Sequence, residues 1–201
     1  MKIIFKKVLI LLSLFLFTQN LQASAENDLK EDFLKSFDSV IKVVKNKNLN
    51  KDDRNVKIVK LLTPMFDFTL MARLSLGKRV WLKMTEQEQK RFIPLYVERM
   101  KNSYSSKLDS YTNEKIEVKD IKRKKNRMVL KTILITEGKD ISVVYKFYKP
   151  KEKQKDKNTW LIYDVEVDGA SFLKADKTQF KELLQTKTIS EFMDVLVEKQ
   201  Y

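Results

Sequence analysis

The sequence predicts an α+β fold: a single domain in which helices cover one face of a curved, four-stranded antiparallel sheet. Three observations predict it. Apolar residues recur at helical spacing as far as about residue 110, then at every second position within four segments, and at helical spacing again near the end. Because four sequential strands with short connections form an antiparallel meander, one apolar sheet face is left for the helices to cover.

The first 25 residues have the layout of a secretory signal peptide and are set apart from the fold. Three lysines precede an apolar run from Val8 to Phe17, and Ala23-Ser24-Ala25 offers small residues for cleavage after Ala25. A membrane anchor is the alternative, but a run of ten residues spans only about 15 Å of the roughly 30 Å of hydrocarbon in a bilayer. We therefore expect an exported protein whose residues 26–201 form one domain.

The composition excludes several classes of function. The chain has no histidine and no cysteine, which removes Ser-His-Asp and Cys-His catalysis, the usual nitrogen and sulfur ligands of zinc, and disulfides. Its formal charge is +14, or +11 without the three lysines of the signal peptide. Such a charge is compatible with nucleic acid, with anionic membrane, or with a lysine-rich surface that has no specific partner. Export argues against nucleic acid.

Two amphipathic helices open the domain. In the first, apolar residues recur at helical spacing from Leu29 to Val44. The second begins near Asp53. It should end or bend at Thr63, because a residue that precedes proline is biased away from helical geometry.

A short helix and a long helix follow. Asp67 is placed to cap the third helix, and Gly77 to stop it in a left-handed conformation. Thr85 to Glu88 has the pattern of a capping box, which starts a fourth helix that runs to about Ser110. Pro94 lies well inside that helix and should bend it.

The second half of the chain alternates with period two and then returns to helical spacing. In the last strand we expect Leu161, Tyr163, Val165 and Val167 on the apolar face, with Asp164, Glu166 and Asp168 on the other. The predicted strands are Lys115 to Ile121, Met128 to Thr136, Ile141 to Tyr148 and Trp160 to Asp168, and the last two helices are 174–184 and 189–199.

Two charged features offer alternative functions. Asp164, Glu166 and Asp168 share a strand face, and paired carboxylates can perform acid–base work on glycosidic bonds. The simpler interpretation is a solvated face that balances lysines. The runs 122–127 and 149–157 are dense in cations, but their aromatic neighbours follow core spacing, so loop charge is favoured over a single-strand nucleic-acid groove. Contact with anionic lipid headgroups stays open.

Large, soft apolar side chains concentrate between Met65 and Tyr111. Such a stripe is more often ordinary core than a ligand site. However, a short third helix, a glycine stop and a proline bend are better suited to lifting helices off a sheet, and methionine fills adaptable apolar sites. The corner from Leu76 to Phe92 is therefore predicted to form part of a pocket rim.

Several motifs in this order resemble the MlaC family, the toluene-tolerance auxiliary component of an ABC transporter. They are FDFTLMARLSLGKRVWLKMTEQEQKRF (66–92), YSSKLDSY (104–111) and WLIYDVEVDGASF (160–172). Thr188 is a departure, since the family pattern suggests glycine between the last two helices. Arg73 and Asp164 lie within matched motifs, and we expect them to pair internally.

The resemblance implies an NTF2-like fold and a periplasmic phospholipid-binding protein of the Mla pathway, with no enzyme activity and no cofactor besides the phospholipid cargo. It implies lipid exchange with an inner-membrane ABC complex that carries an MCE domain, and with an outer-membrane lipoprotein–porin complex, which maintains the lipid asymmetry of the outer membrane. We expect a monomer that binds no nucleic acid. The alternatives are a basic periplasmic interaction module without lipid and a carboxylate-based enzyme.

The predicted pocket lining combines the face periodicity with the matched region. From the helices it comprises Phe66, Phe68, Met71, Leu74, Trp81, Phe92, Tyr96, Met100 and Tyr104. From the sheet it comprises Ile133, Val143, Tyr145, Phe147, Val165 and Val167, with Phe172 after the last strand. No catalytic residue and no metal ligand is predicted.

Overall fold

The first two helices form where the apolar spacing predicts them. The computed structural model describes residues 24–108, 115–136, 138–152, 154 and 156–198, so nearly all of the predicted signal peptide lies outside the described residues. Helix α1 spans residues 24–44 and buries Leu29, Phe33 and Val40. Helix α2, Lys51–Leu62, begins at Asn50, whose side chain accepts a hydrogen bond from the backbone N–H of Asp53 at 2.9 Å.

A 3-10 turn, Thr63–Met65, follows α2 directly. The prediction that the second helix ends at Thr63 is confirmed, since the last residue of α2 is Leu62. The expected departure from helical geometry is not seen, because Thr63 has a φ of −52° and a ψ of −38°. The Thr63 hydroxyl and its backbone N–H both donate to the carbonyl of Val59 and so hold the residue in place. Pro64 is accommodated at the start of the new turn, where a backbone N–H is not needed.

Helix α3, Phe68–Trp81, is capped by Asp67 as predicted, with its Oδ1 accepting from the N–H of Leu70 at 2.8 Å. The predicted stop at Gly77 is wrong in part. Gly77 does take a positive φ of 73°, but its ψ of 158° lies in a region open essentially to glycine alone, and the helix kinks there and continues.

Helix α4, Glu86–Leu108, starts at the predicted capping box. The N–H of Thr85 donates to Glu88 Oε2 at 2.7 Å, and the N–H of Glu88 donates to Thr85 Oγ1 at 3.2 Å. Pro94 lies within this helix. The predicted end near Ser110 lies outside the described residues.

The sheet is an antiparallel meander of five strands, not four, among the described residues. They are β1 Lys115–Lys124, β2 Arg127–Ile135, β3 Ile141–Tyr148, β4 Leu161–Val167 and β5 Ala170–Ser171. The fifth strand was missed because two residues are too short to show alternation. It folds back on β4 through Asp168 and Gly169, whose φ angles are 47° and 83°.

A β-bulge at Tyr163 changes which side chains of β4 share a face. Lys146 pairs with Asp164, but its neighbour Phe147 pairs with Ile162, so Tyr163 is the extra residue. Ile162 therefore lies on the same face as Val165, and the prediction that Leu161 and Tyr163 lie there is wrong. A second bulge, at Lys119 in β1, puts Val118 and Ile121 on one face although they are three residues apart.

Helices α5, Phe172–Thr186, and α6, Ile189–Glu198, end the described chain. The Ser171 hydroxyl accepts from the N–H of Lys174 at 3.0 Å and caps α5. Thr188, where the family pattern suggests glycine, forms a second capping box. Its N–H donates to Glu191 Oε2 at 2.7 Å, and its hydroxyl accepts from the N–H of Glu191 at 3.3 Å.

One hydrophobic cluster joins the sheet to the helices and confirms the α+β single domain. The core-facing residues of β2 are Met128, Leu130, Thr132 and Leu134. Helix α1 packs on the same face, since the ring of Phe33 lies 4.7 Å from that of Tyr145, which pairs with Leu130. The NTF2-like form of the fold stays a prediction.

The kink at Gly77 gives a test of this backbone. Gly77→Ala should lower the free energy of unfolding by about 1–3 kcal/mol, because alanine is strained at this φ and ψ. Crowding adds little, since the nearest atom to an added Cβ is the flexible end of Lys177 at 3.4 Å. Urea unfolding measures the effect. Gly138→Ala is the control, because nothing lies within 4 Å of its added Cβ. An equal loss in the free energy of unfolding in the two variants would contradict the backbone strain assigned to position 77.

Candidate functional site

The apolar face of the sheet is not covered evenly. On β2, Leu130, Thr132 and Leu134 are buried, but the β1 residues paired with them, Ile121, Val118 and Ile116, are only half-buried. We call these three β1 residues the β1 strip. Its side chains pack against the core on one side and keep contact with solvent on the other. The strip is therefore apolar surface that a ligand can cover.

A small recess lies between the start of α1 and the ends of the central strands. Its volume is about 20 Å³, and it is lined by Leu29, Asp32, Phe33, Met65, Phe147, Asn158, Thr159 and Trp160. That space is close to the minimum for one water molecule, whereas sites for drug-sized ligands measure about 300–1,000 Å³. The recess can admit a larger ligand only if its walls move.

The structure brings most of the predicted lining into the same hydrophobic cluster. The exceptions are Leu74, which is 36% exposed on α3, and Ile133, which alternates onto the sheet face opposite Thr132. The side chain of Tyr104 lies outside the described residues. The fully or nearly buried members are Phe66, Phe68, Met71, Phe92, Tyr96, Met100, Val143, Phe147 and Val165, and the half-buried members are Trp81, Tyr145, Val167 and Phe172.

Two of the buried members serve helix packing. The ring of Phe92 lies 6.1 Å from that of Phe180 on α5 and 5.8 Å from that of Phe192 on α6. The hydroxyl of Tyr96 donates to Asp176 Oδ2 at 3.0 Å. Sequence periodicity showed that these residues are apolar-facing, but it did not show that their contacts are with other helices.

The three carboxylates of β4 and its exit turn are engaged in structural contacts. Asp164 is 3% exposed and accepts from Lys146 Nζ at 3.0 Å, from the Ser171 hydroxyl and from the N–H of Leu173. Glu166 also accepts from Lys146. Asp168 accepts from the N–H of Ser142 and from Lys139, and these bonds lower the pKa of its carboxyl.

The salt bridge to Lys146 corrects the expected pairing of Asp164 with Arg73. Lys146 stands directly across the ladder from Asp164, whereas Arg73 is an exposed residue of α3. Burial acts to lower the pKa of Lys146, but its hydrogen bonds to Glu166 and Asp164 outweigh that effect and raise it. The arrangement positions α5 on the sheet and leaves no carboxylate of this set free for acid–base chemistry.

The corner after α3 is held by a side-chain hydrogen bond to its backbone and by a buried methionine. The side-chain amide of Gln89 donates to the carbonyl of Trp81 at 2.9 Å, and Met84 is buried beneath the turn. Trp81 packs against the core and is only half-buried, so one part of its ring stays accessible. Its role as a pocket rim stays a prediction.

A polar cluster around Asp67 was not predicted beyond the helix cap. Asp67 also accepts from the hydroxyl of Tyr148 and from the amide of Gln154 at 3.1 Å. Burial and the bond to Asp67 raise the pKa of the Tyr148 phenol. Lys157 donates to the carbonyls of Thr63 and Phe66, and burial lowers its pKa. The cluster fastens the loop before β4 to the start of α3.

The described part of the chain shows neither a metal-binding cluster nor a membrane-spanning helix. It contains no group of three His, Cys, Asp or Glu residues that could hold a metal ion. Within the same residues, no helix has both the length and the apolar character needed to cross a membrane.

Comparison with known proteins agrees with the sequence motifs. The family described as MlaC protein matches residues 34–198, and the chain belongs to the MlaC family. The fold resembles the phospholipid-binding protein from Ralstonia solanacearum, solved in complex with a phospholipid, with a TM-score of 0.72 and 17% identity. That match covers 85% of this chain and 95% of the other. Comparison with curated proteins gives no match.

The buried carboxylate of β4 should be structural. Asp164→Ala removes the partner of Lys146 and of the α5 cap, so we expect it to lower the free energy of unfolding by about 3–5 kcal/mol. Glu166→Gln, which touches the same lysine from a more exposed position, should cost about 1 kcal/mol. Urea unfolding compares the two. An Asp164→Ala variant as stable as the parent would contradict the structural role.

The raised pKa of Lys146 predicts a dependence of stability on alkaline pH. A lysine whose pKa is higher in the folded state contributes its full stability below the unfolded value, 10.5, and loses that contribution as pH rises through the folded value. The difference in free energy of unfolding between the parent and Lys146→Met should stay constant from about pH 7 to 9 and shrink above about pH 10.5. A difference in the free energy of unfolding that already shrinks between about pH 7 and 9 would contradict the raised pKa of Lys146. Lys131→Met, which removes a more exposed salt bridge, is the control.

Proposed function

We propose that the protein is a periplasmic phospholipid carrier that holds the acyl tails of its cargo against the apolar face of the sheet. Membership of the MlaC family over residues 34–198 is the observation that carries the proposal. The carrier would exchange lipid with an inner-membrane ABC complex bearing an MCE domain and with an outer-membrane lipoprotein–porin complex. Its role would be to maintain the lipid asymmetry of the outer membrane. The predicted signal peptide would deliver residues 26–201 to the periplasm.

The physical need for a carrier follows from the hydrophobic effect. Each methylene moved out of water is worth about 0.8 kcal/mol, so two acyl chains do not cross an aqueous gap unprotected. An apolar site offers surroundings comparable to the bilayer, which keeps the net cost of transfer small and lets docking reverse it. The headgroup can stay in water at the mouth. Bulk apolar residues are then sufficient, and no catalytic group is needed.

The β1 strip, with the half-buried Tyr145, Val167 and Phe172, is the surface that we expect the tails to cover. An empty cavity large enough for a lipid would be costly, at about 24 cal/mol per Å³, or about 7 kcal/mol for 300 Å³. The protein without cargo should therefore close over that space. This explains why a small recess beside α1 is compatible with a large cargo.

The alternatives predict different behaviour. A basic interaction module would purify without lipid and lose its partner steeply as salt is added. A carboxylate enzyme needs an uncommitted acid facing a cavity, whereas Asp164, Glu166 and Asp168 all accept hydrogen bonds from protein groups. The carrier therefore accounts for the site better than either.

Extraction of the exported protein with organic solvent, followed by mass spectrometry, tests the proposal. We expect phospholipid in the extract. Val118→Gln with Ile121→Gln, which makes the β1 strip polar without changing charge, should reduce the lipid per protein several-fold because a polar strip no longer favours hydrocarbon. Val129→Gln with Val144→Gln, on the opposite face, is the control and should keep its lipid. A folded β1-strip variant that keeps its full lipid content would contradict the assignment of the site.

A further inference from the structure

One end of the sheet carries an unusual density of positive charge. The turn between β1 and β2 and the segment after β3 meet there, because the N–H of Lys149 donates to the carbonyl of Asn126 at 2.9 Å. Ranges 122–127 and 149–152 together hold seven cations and one acid. We call the exposed members of this group the basic end: Lys122, Lys124, Lys125, Arg127, Lys149 and Lys151.

These cations are little neutralised by the protein itself. Within the described residues, Lys122 is the member that forms a salt bridge, with Asp120 at 3.3 Å, and its side chain is 73% exposed. Elsewhere, Lys131 and Lys146 on the sheet and Lys139 in the connection between β2 and β3 each have an acidic partner. Because like charges held together cost free energy, the concentration at one end points to an anionic partner.

The surroundings of the basic end favour an amphiphilic partner over an acidic protein. Arg123 follows the β1 strip on the same strand face, since its ladder partner Met128 is a core residue. Its guanidinium lies 5.5 Å from the ring centre of Trp160, which lines the recess beside α1. Apolar surface and cations thus adjoin each other, as hydrocarbon and phosphate do in a phospholipid. An acidic protein would contact the cations and leave the adjoining apolar surface uncovered.

We propose that the basic end docks on the surface of an anionic phospholipid bilayer and so brings the β1 strip to the membrane during lipid exchange. The proposal rests on the carrier function and adds a direct membrane contact to it. Each lysine or arginine near an anionic surface strengthens binding about five-fold, and the attraction decays within a Debye length of about 10 Å at 0.1 M salt. Docking is therefore reversible and sensitive to salt.

Co-sedimentation with vesicles tests the docking surface. The exported protein is mixed with vesicles of phosphatidylcholine alone or of phosphatidylcholine with phosphatidylglycerol. We expect binding to the anionic vesicles alone. Lys124→Gln, Lys149→Gln and Lys151→Gln together should weaken it on the order of 100-fold at low salt. The control joins Lys42→Gln, Lys57→Gln and Lys181→Gln, three exposed lysines elsewhere whose loss lowers the net charge equally.

The outcomes separate docking from cargo binding. Equal losses in the two triple variants, or equal binding to neutral and anionic vesicles, would overturn the basic end as a docking surface. So would binding of the basic end to polyglutamate, used as an acidic protein probe, without binding to anionic vesicles. Lipid content is measured on the same samples. A parent without phospholipid contradicts the carrier, whereas the vesicle result alone decides the docking surface.

Discussion

The apolar face of the antiparallel sheet is the constraint from which the architecture follows. A chain without cysteine has no disulfide to hold it, so burial of that face by helices must supply the stability. The burial is uneven. Near β4 and β5, α3 and α5 contact the sheet, whereas at the β1 edge the strip is only half-buried. This half-buried edge is where we propose that the acyl tails bind.

Two buried carboxylates, Asp164 and Asp67, hold α5 and α3 against the central strands. Asp164 joins Lys146, the α5 cap and the N–H of Leu173, and Asp67 joins the α3 cap to Tyr148. Removing one partner of a buried charge is costly, so each contact fixes the position of its helix.

The sequence predicted the helices and the meander well because their signals are local. Asp67 and the Thr85–Glu88 capping box predicted where two helices start, and period-two runs predicted the long strands. The failures came from non-local pairing. The bulge at Tyr163 depends on the pairing with β3, and it places Ile162 rather than Leu161 and Tyr163 on the core face. The contacts of Phe92 with α6 and of Tyr96 with α5 likewise join distant parts of the chain. The exposure of the β1 strip also depends on which helices pack against it. Sequence periodicity does not contain that information.

In the function we propose, the basic end contacts anionic membranes by charge and the β1 strip holds lipid by hydrophobic contact. A crystal structure of the protein purified with its native lipid tests the central claim most directly. We expect acyl-chain density along Ile116, Val118 and Ile121, with the headgroup towards the basic end. Acyl density confined to the opposite face of the sheet, or a strip covered by protein in a lipid-loaded crystal, would contradict it.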